Sequence, residues 1–290
     1  MTSYVDPSSP LPAAGARRTR PAWRRQPVGL WLAGAFVALL LLAAAWPQLF
    51  TPADPLEGDV TRSLLAPGAA QWFGTDRLGR DVFARVVHGA HYSLLIGLAA
   101  MGVSVLGGVL LGIASGLGRR VLDEAVSRAF DVISAFPSVL LALLVVTFLG
   151  PGMANIALAI GIAGIPKFGR VVRSQALLVR RADYVRHAVI YGRGRLQILW
   201  RHVLPNVLVA IPVIATINLG SAIIAVSGLS FLGLGPQPPT PEWGVMLAEG
   251  RDILRVAWWA GVFPGLFITL SVIALTVLGN DLQRRFEGRT

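Results

Sequence analysis

The sequence predicts an all-α, polytopic membrane protein with six spanning helices and both termini in the cytoplasm. Two observations carry that expectation. Of 290 residues, 54% are hydrophobic and only 14% charged, with a mean hydropathy of +0.64, too apolar for a soluble domain of this length. The charges are also unevenly placed. With both ends inside, the cytoplasmic segments hold 20 basic and 7 acidic residues and the external loops 6 and 8, as the positive-inside rule requires. The net charge of +11 is thereby assigned to membrane topology, with a lipid bilayer and not nucleic acid as the partner. There is no cysteine, which excludes disulfides and thiolate metal sites.

In chain order, residues 1–27 are rich in Pro, Ser, Ala and Arg without apolar periodicity and read as a disordered, basic cytoplasmic tail. The apolar run 28–49 follows Arg17, Arg18, Arg20, Arg24 and Arg25. Basic residues before an apolar run that contains Ala43-Ala44-Ala45 also fit a secretory signal, and Arg24-Arg25 a twin-arginine signal. A run of about 20 residues suits an uncleaved first span better. Residues 50–93 form an external loop, and residues 94–285 hold the other five spans. The second, 94–117, is glycine-rich, and Gly108 and Gly112 fit either a close-packing face or a glycine-tolerant lipid face. The third, 129–149, is expected to be one helix kinked at Pro137, with Asp131 pairing with Arg128. The fourth, 153–168, is ended by Pro166 and Lys167, and a cytoplasmic loop, 167–205, follows. The fifth, 207–231, carries Asn218, Ser221 and Ser227, which line a hydrophilic path or bond neighbouring helices. Residues 232–257 are an external loop, and the sixth span is 258–278.

Three segments stand out. Segment 71–94, QWFGTDRLGRDVFARVVHGAHYSL, is distinctive for a loop: Gly74 and Gly79 permit tight turns, and Asp76, Arg80 and Asp81 offer charge-assisted hydrogen bonds that order it. His88 and His91 share a helix face, but no third ligand lies nearby, so no metal site is assigned. Segment 183–206, DYVRHAVIYGRGRLQILWRHVLPN, reads as helix, glycine turn, helix. Gly192 and Gly194 break helical propensity, Leu196, Leu199 and Val203 with Trp200 give an apolar face, and Pro205 suits the first turn of the next helix. On its residues alone it is a docking surface or an ordinary basic loop. Segment 229–254, LSFLGLGPQPPTPEWGVMLAEGRDIL, is rich in glycine and proline. No G-x-x-x-x-G-K-[ST], H-E-x-x-H or G-x-S-x-G occurs, so neither ATP hydrolysis nor covalent chemistry is expected of this chain.

These segments resemble motifs of bacterial ABC importer permeases. The 183–206 stretch is similar to their EAA-type coupling segment at Asp183, Tyr184, Val185, Ala188, Gly192, Ile198, Arg201, His202, Leu204, Pro205 and Asn206. It departs at Arg186, where an acid is usual, and at His187, where an alanine is. The F-G-T-D-x-x-G-R-D-V run (Phe73, Gly74, Thr75, Asp76, Gly79, Arg80, Asp81, Val82) resembles the second membrane subunit of dipeptide, oligopeptide and nickel importers. So does the outer-mouth segment with Phe231, Gly233, Gly235, Pro238, Pro239 and Trp243. The resemblance covers residues 70–285 and implies a type I importer transmembrane fold. It also implies a related second permease, two cytoplasmic ATPases carrying ATP and magnesium, and an external binding protein. No cofactor is implied on this chain. Peptides are the implied cargo, with nickel chelates, glutathione or haem as alternatives. An ATPase-independent secondary transporter is the competing class, disfavoured because the span interiors are nearly uncharged.

Overall fold

The computed structural model describes residues 28–287. The tail 1–27 with its five arginines, and Arg289, lie outside them. The described chain is helical: α1 (Val28–Ala45), α2 (Val82–Leu117), α3 (Arg120–Ala135), α4 (Ser138–Leu149), α5 (Met153–Arg181), α6 (Asp183–Ile190), α7 (Arg195–Ile198), α8 (Leu204–Phe231), α9 (Trp243–Arg251) and α10 (Trp259–Glu287). Among the described residues, extended pairing is limited to two isolated bridges, Gly58 with Arg80 and Thr75 with Asp81. In α1, α2, α5, α8 and α10 lie stretches long and apolar enough to cross a bilayer, and the bent pair α3–α4 makes a sixth crossing if it is one span.

The longest packing seam joins α2 and α5, which run parallel. Small residues set it. A side chain at Gly108 would meet Phe168 Cβ at 2.5 Å, and one at Gly112 would meet Gly169 O at 2.6 Å. Ser104 Oγ donates across the seam to Gly161 O at 2.9 Å. The close-packing reading of Gly108 and Gly112 therefore holds, because backbone meets backbone there. Around this seam, α10 packs on α8, α9 and α1. One core cluster gathers Leu40, Val86, Trp243, Trp259 and Leu275, and another gathers Ile96, Val146, Ile156 and Val226.

Three expected boundaries are corrected. The second span begins at Val82 instead of residue 94, so the external loop stops at residue 81. Asp81 caps the helix by accepting from Ala84 N at 3.0 Å, and Val82, Val86, Val87 and Ala90 bury a face that extends it upstream. The third span is not one kinked helix. Phe136, held extended at φ −93° and ψ 141° ahead of Pro137, separates α3 from α4 by a bend of 94°, since a residue before proline avoids the helical region. Asp131 accordingly pairs with Arg170 at 3.1 Å, not with Arg128. The fourth span does not end at Pro166 and Lys167. Pro166 lies inside α5, on its buried side. Losing one backbone donor there is offset by the glycine seam against α2, and α5 continues to Arg181. The expected loop 167–205 thus shrinks to the segment between α5 and α8.

Candidate functional site

The end of the bundle at the α2 N-terminus is a charge-locked head. Gly74 and Gly79 have positive φ of 72° and 73°, and at Gly79 a side chain would collide with Asp59 O, so the tight turns are real and require glycine. They fold the 74–81 segment around the Asp76 carboxylate. Its Oδ1 accepts from Leu78 N at 2.8 Å and Arg80 N at 3.0 Å, and its Oδ2 from Arg80 Nε at 2.6 Å and Arg85 Nη1 at 2.7 Å. From α9, Glu249 Oε2 accepts from Arg85 Nη1 at 2.7 Å and Arg80 Nη2 at 3.3 Å. Asp76, Arg80 and Arg85 are 6%, 4% and 1% exposed. The cluster borders a cavity of about 250 Å³, and Arg85 Nε and Nη2 have no hydrogen-bond partner among the described residues.

The second distinctive segment folds onto this cluster. Trp243 is fully buried, and its Nε1 donates to Val86 O at 2.9 Å. Glu242, also fully buried, caps α9 by accepting from Val245 N at 3.0 Å, while Ser93 Oγ donates to its other oxygen at 3.1 Å. Burial pushes its carboxyl above the usual carboxylate range, opposed by those hydrogen bonds. Trp259 Nε1 donates to Thr75 O at 3.0 Å, and Phe73 stacks on Phe263 with centroids 3.9 Å apart. Gly233 turns with φ 83°, the Pro238–Pro239 peptide is cis, and Gly235 faces Ser230 closely. The Arg251 guanidinium lies 5.4 Å from the Phe231 ring centre. The structure thus brings the two segments into one assembly. Arg85, Glu242, Glu249 and Trp259 were missed. An arginine inside the apolar run VFARVV was the available signal for Arg85. Nothing local pointed to Glu249, which lies 164 residues from it in sequence.

At the opposite end, the foot, α6 stands between α5 and α7. Val185 and Ala188 are buried, Val185 among Val172, Ala176, Val203 and Val207, whereas Tyr184, Arg186, His187, Ile190 and Tyr191 are exposed. Gly192 closes the helix with φ 76°, and Arg193 N reaches back to Ala188 O at 3.0 Å. Next, α7 passes through a π-turn, Leu199–Val203, into α8, with Pro205 in the first turn. Of the expected apolar face, Val203 is buried while Leu196 and Trp200 remain exposed. The Tyr184 and His202 rings lie 5.5 Å apart, and Asn206 Nδ2 donates to His202 O at 2.6 Å, with Leu204 between. Arg186 reaches only 3.9 Å from Asp183. A cavity of about 560 Å³ opens between α6 and the end of α2, lined by Leu117, Val185, Ile190 and Val203 among others.

Between head and foot, Asn218 and Ser221 border a cavity of about 160 Å³. Ser227 does not. It is buried and its hydroxyl has no partner among the described residues. His88 and His91 bond separately, their Nδ1 atoms to Ala84 O and Ala44 O at 2.9 Å each, and no metal-binding group of three occurs among the described residues.

A helical bundle that crosses a bilayer several times, locked at one end and presenting a jointed surface helix at the other, defines a polytopic membrane protein that links two aqueous faces. Residues 108–290 match the family model described as the binding-protein-dependent transport system inner membrane component. The chain is 40% identical over 256 residues to the dipeptide transport system permease protein of Alkalihalophilus pseudofirmus, covering 88% of this chain and 83% of that protein. It is 43% identical over 235 residues to the di/tripeptide transport system permease protein of Pseudomonas aeruginosa (81% and 75%). It is 39% identical over 281 residues to the glutathione transport system permease protein of Pectobacterium atrosepticum (94% and 93%). Among solved structures it resembles an amino acid ABC transporter crystallised with histidines, at a TM-score of 0.52 and 16% identity, covering 72% of this chain and 95% of that one. The last likeness speaks for the fold alone. The chain belongs to the binding-protein-dependent inner membrane component family, as a multi-pass permease subunit of the ABC importer class.

Proposed function

We propose that this chain forms half of an ATP-driven import path for di- or oligopeptides. The other half comes from a homologous second permease, the cargo from an external binding protein that docks at the head, and the energy from two ABC ATPases, which carry ATP and magnesium, docked at the foot. The chain itself is non-catalytic. The observation that carries this reading is α6: a short helix anchored by Val185 and Ala188 that presents Tyr184, Arg186, His187, Ile190 and Tyr191 outward, ahead of a glycine turn. Buried on one face and free on the other, it can transmit the motion of a docked subunit into α5 and α8. The basic residues of the foot support its cytoplasmic placement. A relative named for glutathione transport that matches along 94% of this chain favours glutathione, itself a peptide, as a second reading of the cargo.

Mass spectrometry of what co-purifies with the tagged chain from mildly solubilised membranes is expected to find a second permease and one or two ATPases. Recovery of this chain alone, under conditions that preserve a known ABC complex, would point to an ATPase-independent transporter. Within the complex, Gly192→Trp places a bulky side chain at a turn of φ 76°. Uptake is expected to be abolished while membrane insertion is unchanged, and normal uptake would remove the coupling role of α6.

A further inference from the structure

Lys167 is the one lysine in the sequence, and it lies midway along α5, not at its end. It is 14 residues beyond Met153 in α5, about 21 Å along the axis at a rise of 1.5 Å per residue, less than one helical turn before Arg170. Its ammonium contributes the only charge to the cavity of about 160 Å³ that it lines with Ser138 from α4 and Asn218 and Ser221 from α8. No hydrogen bond or ion pair is formed by Lys167 among the described residues, although the next arginines along α5 are paired: Arg170 with Asp131 at 3.1 Å and Arg173 with Asp123. The arginines are thus tied to α3, while Lys167 faces α4 and α8.

Lys167, Ser138 and Ser221 are all exposed in the isolated chain. Hydrocarbon cannot satisfy an ammonium and two hydroxyls, a composition that suits a face turned to the path. The break at Pro137 adds to the positive character. Ser138 begins α4, and the first backbone bond of that helix is Leu141 N to Pro137 O at 3.0 Å. Its leading N–H groups have no acceptor among the described residues, and Ser138 lines the same cavity as the lysine, the arrangement by which broken membrane helices meet anionic groups.

We infer that Lys167, with Ser138, Asn218 and Ser221, is a carboxylate-binding station in the path, met by the terminal carboxylate of a passing peptide. This rests on the import reading above and deepens it. Peptides differ in side chains but share the free carboxylate, so a path that serves many of them gains a common contact from one unpaired cation. An exposed contact of this kind is weak enough to release.

The absence of cysteine makes the test clean, because Ser221→Cys gives this subunit a single thiol. In the complete complex in nanodiscs, that thiol is reacted with an anionic and, separately, a cationic methanethiosulfonate, and the mass of this subunit is followed. Lys167 is expected to favour the anionic reagent, with the ratio of the two rates falling about tenfold on adding Lys167→Met and being retained with Lys167→Arg. In liposomes, ATP-driven uptake of alanyl-alanine is expected to slow about tenfold in Lys167→Met and to be largely rescued in Lys167→Arg. An unchanged rate ratio, or uptake by Lys167→Met at the unsubstituted rate, would overturn the station. So would a thiol deaf to both reagents, which would show that the cavity is closed to water in the assembled complex. A charge-dependent ratio in a complex whose unsubstituted form moves no alanyl-alanine, longer peptide or glutathione under ATP would leave the anion site standing and remove the import reading.

Discussion

Arg85 sits one turn into α2 and is 1% exposed, with Asp76 and Glu249 both accepting from its Nη1. Removing one member of such a cluster strands the rest in a poorly solvated site. Arg85→Met is expected to lower the stability of the purified chain by about 3 kcal/mol, read as a drop in thermal midpoint, whereas the exposed Arg120–Glu124 pair can be removed with almost no change. Glu242 gives a pH-dependent prediction. Its folded carboxyl titrates above the usual range because it is buried, against about 4.3 in an unfolded chain. Its contribution is therefore complete below about pH 4 and declines as pH rises through the raised folded value. The thermal midpoint of the unsubstituted chain should fall from pH 5 to pH 8 relative to Glu242→Gln, which keeps an acceptor oxygen for Val245 N. Parallel curves for the two would refute the assignment. At this scale the sequence was partly legible. Asp76, Arg80 and Asp81 were visible as a loop clamp because they are close together in the chain, whereas Glu242 and Glu249 act through partners more than a hundred residues away.

Among the elements, the α2–α5 seam determines how much the rest can vary. A leucine at Gly112 would have to enter where even Cβ is 2.6 Å from Gly169 O, and backbone cannot move aside as a side chain can. Gly112→Leu is expected to separate the helices and destabilise the chain by about 2 kcal/mol, with reduced yield of the folded protein. A yield and midpoint equal to those of the unsubstituted chain would show that the seam is not a close contact. The small-residue spacing in α2 revealed this seam without naming its partner, since the matching Gly161, Gly164 and Gly169 fall partly in what composition reads as a loop. The same cause hid the length of α5: Pro166-Lys167 resembles a helix end unless the seam is known to hold the backbone through it. Pro137 shows the opposite error. A proline inside a span suggests a kink, yet the extended Phe136 before it makes a full break. That break brings Ser138 to the cavity of Lys167.

For the whole molecule, the distribution of charge read from the sequence orients head and foot in opposite compartments, and a cysteine-free chain lets this be checked directly. Thr240→Cys, in the head loop, is expected to react with a membrane-impermeant maleimide in intact cells with an accessible outer face. Arg193→Cys, in the foot, is expected to react only after permeabilisation, and the reverse pattern would invert the protein in the membrane. The all-α class and five of the six expected crossings were legible because hydropathy and charge act over whole segments, while the sixth depends on whether the bent α3–α4 pair is one span. The packing of one end onto itself was not, because it depends on distant residues meeting.

The length of α2 has a mechanical meaning. Its 36 residues form one unbroken helix from the Asp81 cap to Leu117, about 54 Å at 1.5 Å per residue, braced over its lower half by α5. It works as a lever whose short-range stiffness turns small angles into large displacements. A tilt of about 5° about the foot sweeps the head sideways by about 5 Å over that length. In the proposed complex, the head could therefore part from a facing permease while every contact in the α2–α5 seam, and every bond around Asp76, stays as it is.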